Sequence, residues 1–261
     1  MAGLFSTILN IATVSVSTKD SSEAGFFYFL TATVSFGSAM VLLGIFFKTD
    51  QVQYYLAKSG EKREKKAPVI GIQSSTDTMH CYDICKKVGK YSVTCSVTPF
   101  ITLMMFPAVL SMLKPKKQQG LWSEKYFLLF AVFLVYSVGD VVGRLTSSVL
   151  KWPGKKIIMP CAFFRFVFIL LILMCNLQPR TLPVWFEGDI WPAIFCGILS
   201  ISHGHFQSLA MSYAPQEVDN VSDKAFVGSL QRFSVTVGLV CGTYMSFFVI
   251  WLIGGYNIVE G

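Results

Sequence analysis

Asp140 and Arg144 stand four residues apart inside a long apolar run, residues 126–150. In an α-helix that spacing puts both side chains on one face. The acid lies N-terminal to the base, the order an i,i+4 ion pair prefers. Each charge at the centre of a membrane-embedded helix costs about 2.5–3.5 kcal/mol. Side chains kept at that cost normally face a bundle interior or a water-filled path, and mark the route of a solute or ion. Ser137 and Ser148 extend the pair into a continuous polar face. The chemistry available is recognition rather than bond-making: a carboxylate accepts from hydroxyls, and a guanidinium fork donates to them. The competing reading is a self-neutralising pair that only packs the bundle.

A second polar stretch is Ser200, Ser202, His203, Gly204, His205, Gln207 and Ser208. On a helix His203 and His205 point to different faces, which makes them a poor metal pair. A hydrogen-bonding strut is the simpler role for either, with a proton relay as the alternative. His80, Cys81 and Cys85 lack the second ligand pair of a zinc site, so neither metal nor cofactor is expected. Of the seven cysteines, Cys161, Cys175, Cys196 and Cys241 lie in apolar runs, where cysteine behaves as a small hydrophobe. Gly139 and Gly143 form a G-x-x-x-G, and Ser234, Gly238, Gly242 and Ser246 repeat at intervals of four. Such small-residue stripes let helices pack closely. Pro99 and Pro107 are expected to interrupt their helix and bend it. Arg165, Gln231 and Arg232 fall inside spans, and both arginines are expected to snorkel to the interface.

The elements that must hold these residues are membrane helices. The chain has 261 residues, 53% of them hydrophobic and 14% charged, against about 25% charged in soluble domains. Its mean hydropathy is +0.55. These values exclude a soluble enzyme and a disordered chain. The runs are too long and too uniformly apolar for β-barrel strands. The fold class is all-α and polytopic, with about seven transmembrane helices at 2–17, 24–47, 91–113, 126–150, 157–177, 191–212 and 225–254. The net charge of +7 is no nucleic-acid signature, because the bases lie mostly between apolar runs, where they set orientation. With residues 48–90 cytoplasmic, the inside loops carry thirteen Lys and Arg and the outside loops six. The five tryptophans, at 122, 152, 185, 191 and 251, fall near span ends, as an interfacial belt requires.

Several segments resemble the equilibrative nucleoside transporter family. They are Phe106-Pro107-Ala108-Val109, Asp140-x-x-Gly143-Arg144, Lys151-Trp152-Pro153-Gly154-Lys155, Arg165 with Cys175-Asn176, Ser202-x-Gly204, Ala214-Pro215 and Gly238-Leu239. Their order and spacing match nearly the whole chain. The resemblance implies the last seven of eleven helices in a fold like the major facilitator superfamily. Residues 1–47 would be the last two helices of the N-terminal lobe, 48–90 a basic cytoplasmic linker, and 91–261 a C-terminal lobe of five helices. It further implies facilitative nucleoside transport by alternating access, with nucleobases as a further substrate class. The lipid bilayer and the missing N-terminal helices would be its other partners, no nucleic acid would bind, and the plasma membrane is the expected location. Asp140 and Arg144 would bind ribose, Leu239 would line the nucleobase side, and Phe133 would lie near the site. Ser137 would replace a cavity-side asparagine, and Ser202-His203-Gly204-His205 would stand where Ser-Asn-Gly-Tyr is usual. Pro107, Gly139, Gly143, Gly238 and Gly242 would serve gating and packing. Transport by the chain alone would be impaired. The alternatives are a seven-helix receptor, against which the basic-residue rule places the N-terminus inside, and a non-transporting fragment.

Overall fold

The computed structural model describes residues 7, 8, 11, 21–50, 52–54, 74–116, 126–178, 183–186 and 188–254. Most of the expected first span, Trp122 and half of the polar stretch 48–90 lie outside the described residues. The chain divides into two compact units, residues 9–80 and residues 1–8 with 81–261.

The first unit contains helix α1, Ser21–Phe47, 27 residues long. At 1.5 Å per residue it reaches about 40 Å, more than a bilayer core. Its described apolar side chains Phe36, Met40, Val41, Leu42, Leu43, Ile45, Phe46 and Phe47 are all exposed. Consecutive helical positions step round the axis, so this helix is apolar on every side. Such a helix is stable where the solvent is lipid or other apolar helices.

The second unit carries the remaining helices, except that residues 74–80 of the next one fall in the first unit. Helix α2 runs Ser74–Met105, straight through Pro99. It therefore starts well inside the stretch expected to be loop, and Pro99 does not end it. The chain turns at Phe106–Val109 and forms a single 3-10 turn, Leu110–Met112. A π-helical segment, Leu129–Leu134, leads into α3, Val135–Val149. The expected fifth span is broken in two, as α4, Ile158–Phe164, and α5, Val167–Leu173, with the break at Arg165 and Phe166. Helix α6 is Ile190–Tyr213, followed by a 3-10 turn Ala214–Glu217, and α7 is Val221–Gly254. Among the described residues three helical stretches are long and apolar enough to cross a membrane: His80–Met112, Leu129–Val149 and Val221–Ile253. Helix α6, at 24 residues, has the length to span but spends its polarity on buried Ser200, His205 and Gln207.

Two apolar cores stabilise this unit. One gathers Ile101, Met105, Leu110, Val132, Ile172, Cys196 and Leu199; the other gathers Val88, Tyr91, Cys95, Ile158, Leu209 and Val227. Along α2 one core stops at Cys95 and the other resumes at Ile101. Along α6 the corresponding limits are Leu209 and Leu199. Thr98, His203, His205 and Gln207 fall in the interval, so a polar layer is sandwiched between two dry ones.

The ends of the unit are tied by hydrogen bonds. At one end the Asn176 amide donates to the Lys114 carbonyl at 2.8 Å, and the Lys114 amide returns a bond to the Asn176 carbonyl at 3.0 Å. At the other, the Tyr91 hydroxyl donates to Glu217 at 2.7 Å and Lys155 approaches the same oxygen at 3.3 Å. The Tyr91 hydroxyl and Lys155 hold the Glu217 carboxyl below the usual carboxylate range. Trp152, Trp185, Trp191 and Trp251 are all exposed near helix ends, where an amphipathic ring meets both lipid and water.

Asn220-Val221-Ser222 is a formal glycosylation sequon. Asn220 is exposed at the start of α7 and donates to the Asp223 carboxylate at 3.0 Å. The basic-residue bias of the sequence, with residues 48–90 taken as cytoplasmic, leads to the expectation that this turn also faces the cytosol. Expressed in a glycosylating cell, the chain should show no glycosidase-sensitive mass at Asn220. A glycan there would reverse the orientation.

Candidate functional site

The site begins where α3 and α6 touch. A Cβ on Gly143 would overlap the backbone carbonyl of Ile201, and one on Gly139 would overlap the Ser200 hydroxyl. From the other side, a Cβ on Gly204 would overlap the Asp140 carbonyl. Three glycines therefore bring the backbones into contact, and that contact puts Asp140 beside His203. Gly238 and Gly242 do the same for α7 against α2. Added Cβ atoms there would overlap the Ser96 carbonyl or stand 2.6 Å from the Phe100 carbonyl.

Arg144 Nε donates to Asp140 Oδ2 at 2.8 Å. The other carboxylate oxygen, Oδ1, is buried and has no hydrogen bond among the described residues. His203 Nε2 lies 3.9 Å from it, beyond hydrogen-bond reach. The opposite ring nitrogen of His203 meets the Thr102 hydroxyl at 3.1 Å. Arg165 Nη2 donates to that same hydroxyl at 2.8 Å. The result is one chain of polar groups, Arg165, Thr102, His203, Asp140 and Arg144, with a single open step between His203 and Asp140.

Arg165 does not snorkel. It is 1% exposed and spends its donors on four neighbours. They are the Thr98 carbonyl at 2.8 Å, the Thr102 hydroxyl, the Leu199 carbonyl at 3.1 Å and the Ser202 hydroxyl at 3.0 Å. The reason is its place at the break between α4 and α5, which points the side chain into the polar layer. His205 serves a different partner, meeting the Trp152 carbonyl at 2.6 Å.

The polar face of α3 is shorter than its sequence pattern. Ser137 is buried against Thr7 at 2.8 Å, and the Ser148 hydroxyl donates to its own helix at Leu145. Phe133 belongs to an aromatic group: Phe106 packs edge-on to it at 5.3 Å and stacks on Tyr136 at 3.9 Å. The Tyr136 ring stands 6.4 Å from that of His203, so the aromatic group borders the polar chain. Pro107 lies exposed in the turn after Phe106. Leu239 is 37% exposed on α7 and is not part of the hydrogen-bonded group. Sequence reasoning missed Thr98 and Thr102, although their i,i+4 spacing within an apolar span was a readable signal. It also missed Tyr136 and Phe106 as a stacked pair.

A bundle of apolar helices with charged, hydrogen-bonded residues in its interior fits a membrane protein that handles a polar solute or ion. The chain belongs to the nucleoside transporter family, whose sequence model matches residues 1–251. This family consists of transporters, not enzymes, which sets the receptor reading aside. The chain is 28% identical to equilibrative nucleoside transporter 1 of Homo sapiens, over 95% of this chain and 59% of that protein. It is 26% identical to equilibrative nucleoside transporter 3 of Rattus norvegicus, over 93% of this chain and 54% of that protein. With equilibrative nucleoside transporter 2 of Rattus norvegicus the identity is 33%, over 59% of this chain and 34% of that protein. The chain thus spans less than two thirds of the length of these relatives.

The glycine contact has a measurable consequence. Gly143→Val should destabilise the α3–α6 pair by about 1–3 kcal/mol or more, because the obstruction is backbone and cannot swing away. Gly228→Val is the control, since a Cβ there meets nothing within 4 Å. Thermal melting of the purified protein in detergent should show a clear loss for the first and little change for the second. Equal melting temperatures would show that the contact is loose.

Proposed function

We propose that this chain is the ligand-binding part of a facilitative nucleoside carrier, driven only by the solute gradient. The observation that supports this reading most is an acceptor held in reserve. Asp140 Oδ1 is buried without a hydrogen bond while its twin is held by Arg144. Arg144 is 45% exposed, and its two terminal nitrogens have no partner among the described residues. A ribose hydroxyl can donate to the first and accept from the second, so a polyhydroxylic solute would complete the bonding of the buried oxygen while engaging the guanidinium.

Phe133 and its stacked neighbours offer flat apolar surface to a nucleobase, Leu239 stands ready to line the same solute from α7, and Ser137 borders it on α3. Nucleobases alone are a further substrate class. Residues 48–90 are read as a cytoplasmic linker between two lobes of a bundle like that of the major facilitator superfamily. Alternating access would come from rocking of those lobes, with Pro107 and the glycine contacts as its hinges and bearings. The plasma membrane is the proposed location. Because the relatives are longer, the full transport cycle is assigned to an assembly with further helices. In liposomes the 261 residues alone should insert yet take up little uridine. Robust saturable uptake by them alone would overturn that assignment.

The pair itself is tested by replacing both members, Asp140→Leu with Arg144→Met, in a chain completed to the length of its relatives. Either single replacement leaves the partner's charge without its counter-ion, whatever the pair does. The double replacement removes that complication. It should reach the membrane normally and lose uridine uptake by roughly tenfold or more, the loss of at least one charge-assisted hydrogen bond. Near-normal uptake would reduce the pair to packing.

A further inference from the structure

Resting on the ribose reading of Asp140, we propose that His203 is a second hydroxyl-reading group. Its Nε2 and Asp140 Oδ1 would form a double acceptor that selects a vicinal diol. The Thr102 hydroxyl has one hydrogen and three neighbours. The Thr98 carbonyl, 2.9 Å away on the same helix, accepts that hydrogen. Arg165 Nη2 can only donate, and at 2.8 Å it occupies one lone pair of the Thr102 oxygen. With the hydrogen so placed, the Thr102 oxygen still has a lone pair free, and we take His203 Nδ1, at 3.1 Å, as its second donor. A neutral imidazole that donates from Nδ1 carries a bare lone pair on Nε2.

That lone pair faces a second bare acceptor. Asp140 Oδ1, 3.9 Å away, is buried and has no hydrogen bond among the described residues. Two acceptors cannot bond each other. They need a guest that brings two hydrogens. A water or an amino group brings both on one atom. A vicinal diol brings them on two adjacent oxygens, and those oxygens can also accept from Arg144, which an amino group cannot do. Arg144 stands on the Asp140 side of the gap and Arg165 reaches the His203 side through Thr102. Both sides are therefore fixed before the guest arrives. A sugar lacking one hydroxyl leaves one acceptor buried and unpaired, which is the condition under which polar sites discriminate most strongly.

The test uses the purified chain in lipid nanodiscs, with saturation-transfer NMR competition among uridine, 2′-deoxyuridine and 3′-deoxyuridine. Uridine should bind about tenfold or more tightly than either deoxy analogue, the equivalent of one unmade hydrogen bond at each position. His203→Phe should erase the penalty for one missing hydroxyl and keep the other, and Asp140→Asn should weaken the other. His203→Gln, which keeps an acceptor, should restore part of the lost selectivity. Melting of each variant shows that it is folded. Unchanged penalties in folded His203→Phe would overturn the proposal, leaving His203 as a strut or the gap as a water site. If Asp140→Asn also left uridine binding and both penalties untouched, the ribose reading would fall with it. Absence of any uridine signal at millimolar ligand would likewise overturn it.

Discussion

A fully buried cation with no carboxylate bonded to it, Arg165, fixes the interior of this bundle. Removing such a charge from water costs several kcal/mol even after relaxation. Four hydrogen bonds offset the cost, each worth about 1.5–3 kcal/mol when one partner is charged. The acceptors are Thr98 and Thr102 on α2 and Leu199 and Ser202 on α6. Two of the acceptors lie on each helix, so the guanidinium bridges α2 and α6. It can reach both only because the chain breaks between α4 and α5 at Arg165 itself. Through Thr102 the same group orients His203, and so it governs what faces Asp140.

Glycine supplies the second constraint. Gly139, Gly143 and Gly204 let α3 lie directly on α6, and Gly238 and Gly242 let α7 lie directly on α2. Each pair is locked by backbone contact, while the Arg165 group joins one pair to the other through side chains. The polar layer is bounded by a dry core on each side, which keeps water from competing for its hydrogen bonds.

Most of the helical framework was legible from hydropathy alone, because bilayer thickness forces long apolar runs. The run at 191–212 became Ile190–Tyr213 and that at 225–254 became Val221–Gly254. The start of α2 at Ser74 was not legible, because its first turns are polar and read like loop. The break at Arg165 was hidden for the opposite reason: the flanking residues are uniformly apolar, and hydropathy carries no record of backbone direction. Asp140 and Arg144 were conspicuous as charges in a span. Thr98 and Thr102 were not, since Thr occurs in spans for many reasons, and His203 stood out only as part of a polar stretch that read as a strut or a relay. Only the close approach of α2, α3 and α6 makes them one group. The snorkelling expected of Arg165 assumed a continuous helix, and the break removed that premise.

The central claim is that the open step between His203 and Asp140 is where the nucleoside is held. An experimental structure with uridine bound tests it most directly, through the position of the ribose. The account predicts a ribose hydroxyl about 2.5–3.0 Å from Asp140 Oδ1, with the second hydroxyl directed to His203 and Arg144 in contact with the sugar. A uridine bound elsewhere, with Asp140 and His203 still separated and unbridged, would contradict it.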